Sequence, residues 1–115
     1  MIVTRFQEAS EYEAPKHHGC VGVRLQGAEV SDVTSFWLGV STFEPGGGAE
    51  WDTTPAEKVY LVLEGEITIE TDDQRVVLGP KDTVFLPSNE RRRVINESGA
   101  TSLMAVMIAP VRRSP

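Results

Sequence analysis

Hydrophobic and polar positions along this chain alternate in short bursts, with turn residues between them. Residues 21–26, Val21-Gly22-Val23-Arg24-Leu25-Gln26, alternate as a strand with one apolar face does. Residues 34–43 concentrate aromatic and β-branched types and carry no helix punctuation, which predicts a second strand. Further strands follow over residues 58–63 and 66–70, with Gly65 between them. Thr71-Asp72-Asp73 supplies turn chemistry, and residues 74–78 return as a hairpin arm. Gly79-Pro80 and Pro87-Ser88-Asn89 are turns, flanking strands over 83–86 and 92–95, and the last strand is 102–109. Residues 2–13 are mixed, anchored by Val3, Phe6 and Tyr12, and predict a short edge strand ended by Ala14-Pro15; the tail from Pro110 is expected to be loose.

No helical period is visible. About nine short strands at regular spacing specify an all-β sandwich or barrel. Residues 59–63 and 103–108 are apolar on both faces, so a second sheet is expected on one side and a subunit on the other. A homodimer is the expected assembly.

Composition changes this picture little. With 115 residues and 40% apolar content the chain is read as one domain, residues 1–115, with a single core. Eleven Lys plus Arg against 17 Asp plus Glu give a net charge of −6, which argues against nucleic acid or a membrane surface as partner. The lone Cys20 has no disulfide partner in the chain and reads as a small buried hydrophobe. Residues 1–10 lack a signal-peptide core and no run is long enough to span a membrane, so the expected location is cytoplasmic.

The run Pro45-Gly46-Gly47-Gly48-Ala49-Glu50-Trp51-Asp52-Thr53-Thr54-Pro55-Ala56-Glu57-Lys58 reads as a glycine turn, a short strand and a proline corner before the strand at 58. Its spacing, closed by Gly65, resembles the first motif of the cupin superfamily, G(x)5HxH(x)3–4E(x)6G. Gly46 and Gly65 hold the glycine slots, while the family's His, His and Glu ligand slots fall on Asp52, Thr54 and Lys58. Pro87 and Asn96 match the second motif, G(x)5PxG(x)2H(x)3N, whose glycines fall on Lys81 and Asn89 and whose histidine falls on Arg92. Asn is the next most tolerant residue after glycine for a left-handed backbone. The two motifs span residues 46–96, nearly half the chain. The resemblance implies a cupin-type double-stranded β-helix, or jelly-roll barrel. In small members of that family the first strand often crosses to a partner subunit, which makes residues 1–13 an edge or exchanged strand.

Imidazole and carboxylate bind the family's metals through lone pairs. Lys58 and Arg92 offer none at neutral pH and repel a dication, and Thr54 is a poor ligand. No metal and no other cofactor is therefore expected. Two fixed cations on facing strands instead suit a carboxylate, an enolate or an oxyanion. Asp52 and Glu50, two apart on one strand, are expected to share a face and act as general base or acid beside Lys58 and Arg92. Tyr60 shares the face of Lys58, Thr54 remains in its slot, and His17 or His18 is a candidate proton carrier at the pocket mouth. Met104 and Met107 fall on opposite faces of the last strand, where both suit core packing, with Met104 the candidate for contact with a ligand.

The partner these residues imply is a small anionic organic molecule, and isomerisation, elimination or decarboxylation fits a base beside two cations. Three alternatives stay open. The barrel holds a small acid without chemistry, or Asp52, Lys58 and Arg92 pair with one another and fill the space structurally. A metal held by shifted ligands from Glu50, Asp52, His17 and His18 is the third.

Overall fold

A computed structural model describes residues 1–110 of the chain. The loose tail expected from Pro110 falls, from residue 111 onward, outside the described residues. Among the described residues nine strands form in order: β1 (Glu11–Tyr12), β2 (His17–Gln26), β3 (Trp37–Asp52), β4 (Glu57–Glu64), β5 (Ile67–Thr71), β6 (Arg75–Leu78), β7 (Thr83–Leu86), β8 (Arg92–Ile95) and β9 (Ser102–Ala109). The only helical piece among the described residues is a single 3-10 turn at Phe6–Glu8. The expected edge strand is thus shorter than residues 2–13, because only Glu11 and Tyr12 pair, with Val23 and Gly22 of β2.

The strands follow the order β6-β5-β8-β3-β9-β4-β7, with β2 and β1 continuing from β3, and curl into a nearly closed jelly-roll barrel. Among the described residues every strand pair is antiparallel. Alternation then sorts the side chains. On β4, Lys58, Tyr60 and Val62 point inward and are buried, whereas Val59 and Leu63 face out. Phe43, Ile67, Ile69, Val94 and Met104 complete the buried apolar cluster of the interior.

One expectation is corrected. The glycine run is not a turn followed by a separate short strand: β3 is one 16-residue strand running straight through it. Its first half pairs with β9, from Trp37↔Ile108 to Phe43↔Ser102, and its second half pairs with β8. The strand therefore changes sheets at the glycines. A Cβ on Gly47 would lie 2.1 Å from the Gly19 carbonyl oxygen, and one on Gly48 would lie 2.2 Å from that of Val94. Glycine is needed there because strands approach too closely for any side chain.

Phe85, Val59 and Met107 stand in one row across β7, β4 and β9, and each is at least 39% exposed in the single chain. Met107 is accordingly surface, not core. No helix among the described residues is long and apolar enough to cross a membrane.

Candidate functional site

The open end of the barrel holds a cavity of about 140 Å³. β4 contributes Lys58 and Tyr60, β8 contributes Arg92, β2 contributes His17 and Arg24, and β9 contributes Met104. Tyr12, Trp37 and Ser41 line it as well. Among the described residues, three of the lining side chains are cations and none is Asp or Glu. In a chain of net charge −6 this concentration of positive charge is local and built by strand alternation.

Arg92 is held rigidly. Its Nε donates to the Tyr60 hydroxyl at 3.2 Å and one terminal nitrogen donates to the Glu50 carbonyl at 3.0 Å. Tyr60 thereby accepts, and its own proton stays available. Arg24 lies between two rings, 4.0 Å from the Tyr12 centroid and 5.1 Å from that of Trp37. It also donates to Glu29 at 3.2 Å, yet among the described residues its buried Nε has no hydrogen-bond partner. An unpaired buried N–H is costly unless something accepts from it. Lys58 is 6% exposed, and among the described residues it has no ion pair within 4 Å and no side-chain hydrogen bond. Burial pushes its ammonium below the usual lysine range, and the Arg92 charge pushes the same way against a smaller pull from Asp52. His17 Nδ1 donates to the Pro15 carbonyl at 2.8 Å when it carries the ring proton, which leaves Nε2 as an acceptor.

The predicted site residues separate into two groups. Lys58, Arg92, Tyr60, His17 and Met104 line the cavity, whereas Glu50, Asp52 and Thr54 do not. Glu50 and Asp52 do not share a face, because β3 carries one extra residue between Ala49, opposite Val94, and Asp52, opposite Arg92. Glu50 instead meets His18 at 3.3 Å on the surface. Asp52 sits at the rim, where its carboxylate accepts from the Thr53 amide at 2.9 Å and from Lys16 at 3.2 Å. The Thr53 bond first, and Lys16 after it, hold that carboxyl below the usual range. Asp52 thus pairs outward, and an Asp52/Lys58/Arg92 ion network does not fill the barrel. The Thr54 hydroxyl is buried without a partner among the described residues.

Sequence reading passed over Arg24, Tyr12 and Trp37. The alternation Val21, Val23, Leu25 marked Arg24 as the polar face of its strand. Arg24 pairs with Gly39 in the register and lines the cavity, which places this polar face on the barrel interior.

A family profile described as "Cupin domain" matches residues 39–109, well over half of the chain. This chain belongs to the cupin family. A Mycobacterium tuberculosis protein named beta-D-galactosidase Rv1717 is 40% identical to this cupin over 109 residues, covering 95% of this chain and 94% of that one. The polyketide cyclase RemF from Streptomyces resistomycificus superposes with a TM-score of 0.83 at 18% identity, covering 99% of this cupin and 87% of the other chain. A predicted oxalate decarboxylase from Thermotoga maritima gives 0.79 at 16% identity, covering 96% and 100%. At such identities the two structures establish a shared fold.

The donor set at this cupin's motif positions does not suit the family's divalent metals. Protonated Lys58 and Arg92 have no lone pair to give, and among the described residues no group of three or more His, Cys, Asp or Glu converges.

Proposed function

We propose that this cupin binds a small anionic organic molecule in its barrel and acts on it without a metal, by isomerisation, elimination or decarboxylation through an enolate-like intermediate. The observation that carries the reading is a cavity lined by Arg24, Lys58 and Arg92 with no carboxylate among the lining residues. Arg24 offers an unpaired Nε–H to the ligand's carboxylate, and Arg92, fixed by Tyr60 and the Glu50 carbonyl, offers a second grip. Lys58 stabilises negative charge as it develops, in a site where burial strengthens the interaction. His17 Nε2 is the base and the Tyr60 hydroxyl the proton donor. Two copies are proposed to associate through the exposed apolar row of Phe85, Val59 and Met107, which a two-fold axis would match to itself.

The test is thermal unfolding against a panel of small carboxylates, oxo acids and phenolic acids, followed by turnover assays on each hit. A ligand at about 100 times its Kd adds about 2.7 kcal/mol, several degrees for a domain of this size. The shift is expected to vanish in Arg24→Met and Arg92→Met. A panel that moves neither wild type nor variants would refute the reading.

A second reading has one specific support, the galactosidase name of the 40%-identical relative. Glycoside hydrolysis ordinarily needs two carboxylates flanking the bond. Here no acid lines the cavity among the described residues: Asp52 pairs with Lys16, Glu50 with His18 and Glu29 with Arg24. Release of nitrophenol from a nitrophenyl β-galactoside, lost in Asp52→Asn and Glu50→Gln but kept in Lys58→Met, would favour this reading over the first.

A further inference from the structure

We propose that Lys58 is a covalent centre, whose Nζ condenses with the carbonyl of a small 2-oxo acid to form an iminium inside the barrel. This rests on the anion-binding reading above and adds a substrate class to it.

Three observations support the assignment. Lys58 lines the cavity yet is 6% exposed, so its amine meets a bound molecule while largely shielded from bulk water. No carboxylate pins it: Asp52 is engaged by Lys16 at 3.2 Å, and among the described residues Lys58 has no ion pair of its own. Cations for the acid group are already present, since Arg24 and Arg92 line the same cavity. A lysine needed only to hold a carboxylate would be a third positive charge where two suffice. The direction in which burial and Arg92 move Lys58 agrees, because it raises the share of neutral amine.

The step balances without an oxidant or reductant. The Nζ lone pair attacks the carbonyl carbon, the C–N bond forms, and the C=O π electrons move to oxygen. That oxygen takes a proton from the Tyr60 hydroxyl, whose own oxygen accepts from Arg92 and so leaves its proton free. The nitrogen loses a proton to His17 Nε2 as the carbinolamine forms. Its lone pair then expels the hydroxyl, which departs as water with the proton that His17 Nε2 has just taken, and the Tyr60 phenolate recovers its own proton from solvent. The product is a protonated C=N bond, an electron sink for loss of a proton from carbon 3 of the oxo acid, the electron pair moving into the C=N bond to give an enamine.

The chain's three lysines make the test internally controlled. Full-length protein is incubated with 2-oxo acids from glyoxylate to 2-oxoglutarate, reduced with borohydride, digested and mapped by mass spectrometry. The expected result is a reduced adduct on Lys58 at least tenfold above that on Lys16 and Lys81, and its loss in Lys58→Arg. Label spread evenly over the three lysines, or no adduct on Lys58 with any acid, would overturn the proposal. Melting curves with each oxo acid and with its partner lacking the carbonyl, pyruvate against propionate for example, separate the two ideas. Acids that raise the melting temperature without an adduct leave anion binding standing and remove the covalent step. Acids that neither shift nor label remove both.

Discussion

At the scale of single residues, burial sets the chemistry of two groups in opposite directions. The Cys20 thiol is pushed up from 9.0 to about 11 by burial, partly countered by its hydrogen bond with Ser41. At pH 8 that leaves about a hundredfold less thiolate than an unperturbed thiol. A disulfide reagent such as Ellman's is therefore expected to modify native protein at about one-hundredth of its rate on the urea-unfolded chain. Lys58 is pushed down, so folding disfavours its charged form. Below the folded pKa both states are protonated and the fold carries the whole cost. As pH rises from there toward the unfolded value of 10.5, the unfolded chain binds more protons and the cost is relieved. Lys58→Met is expected to melt above wild type at pH 7, with the margin narrowing toward pH 10, as thermal unfolding across that range would show. The identity of Lys58 and Arg92 as paired interior cations was readable from motif spacing alone. Glu50 was misjudged for the opposite reason: a one-residue bulge reverses alternation, and nothing in Ala49-Glu50-Trp51-Asp52 announces it.

At the scale of elements, the motif's turns keep the family's backbone after losing its glycines. Lys81 and Asn89, in the two glycine slots, have φ of 74° and 67°. A left-handed conformation costs a residue with a Cβ about 1 kcal/mol. Lys81→Gly keeps the amide's bond to the Val62 carbonyl and is expected to gain up to about 1 kcal/mol in urea unfolding. Asn96 is the opposite case, fully buried at the sheet-changing corner of β3. Its amide nitrogen donates to the carbonyls of Phe43, Glu44 and Ala100, while its oxygen accepts from the Ser98 amide and hydroxyl. Asn96→Ala strands several buried groups and is expected to lose about 3 kcal/mol in the same measurement. Strand positions from residue 57 onward were legible because turn residues punctuate them. The long β3 was not, since a glycine run signals a turn and close strand approach equally well.

At the scale of the whole molecule, the outer apolar row gives a direct expectation. Phe85→Glu with Met107→Glu should convert a dimer to a monomer in light scattering while leaving the melting temperature within a few degrees, because both side chains point away from the core. The sequence carried the barrel class through its strand count and turn spacing. It did not carry the lining of the cavity, which depends on register between strands far apart in the chain. The sheet change of β3 has one more consequence. Lys58 belongs to the half of the barrel built on β9, β4 and β7, and Arg92 to the half built on β8, β5 and β6. The two halves share β3. A molecule gripped by both cations is a cross-brace between them, and its mechanical reach exceeds its contact surface. Amide exchange should slow on β5 and β7, strands that contribute no lining side chain, so that an empty barrel opens half by half and a loaded one opens as a single unit.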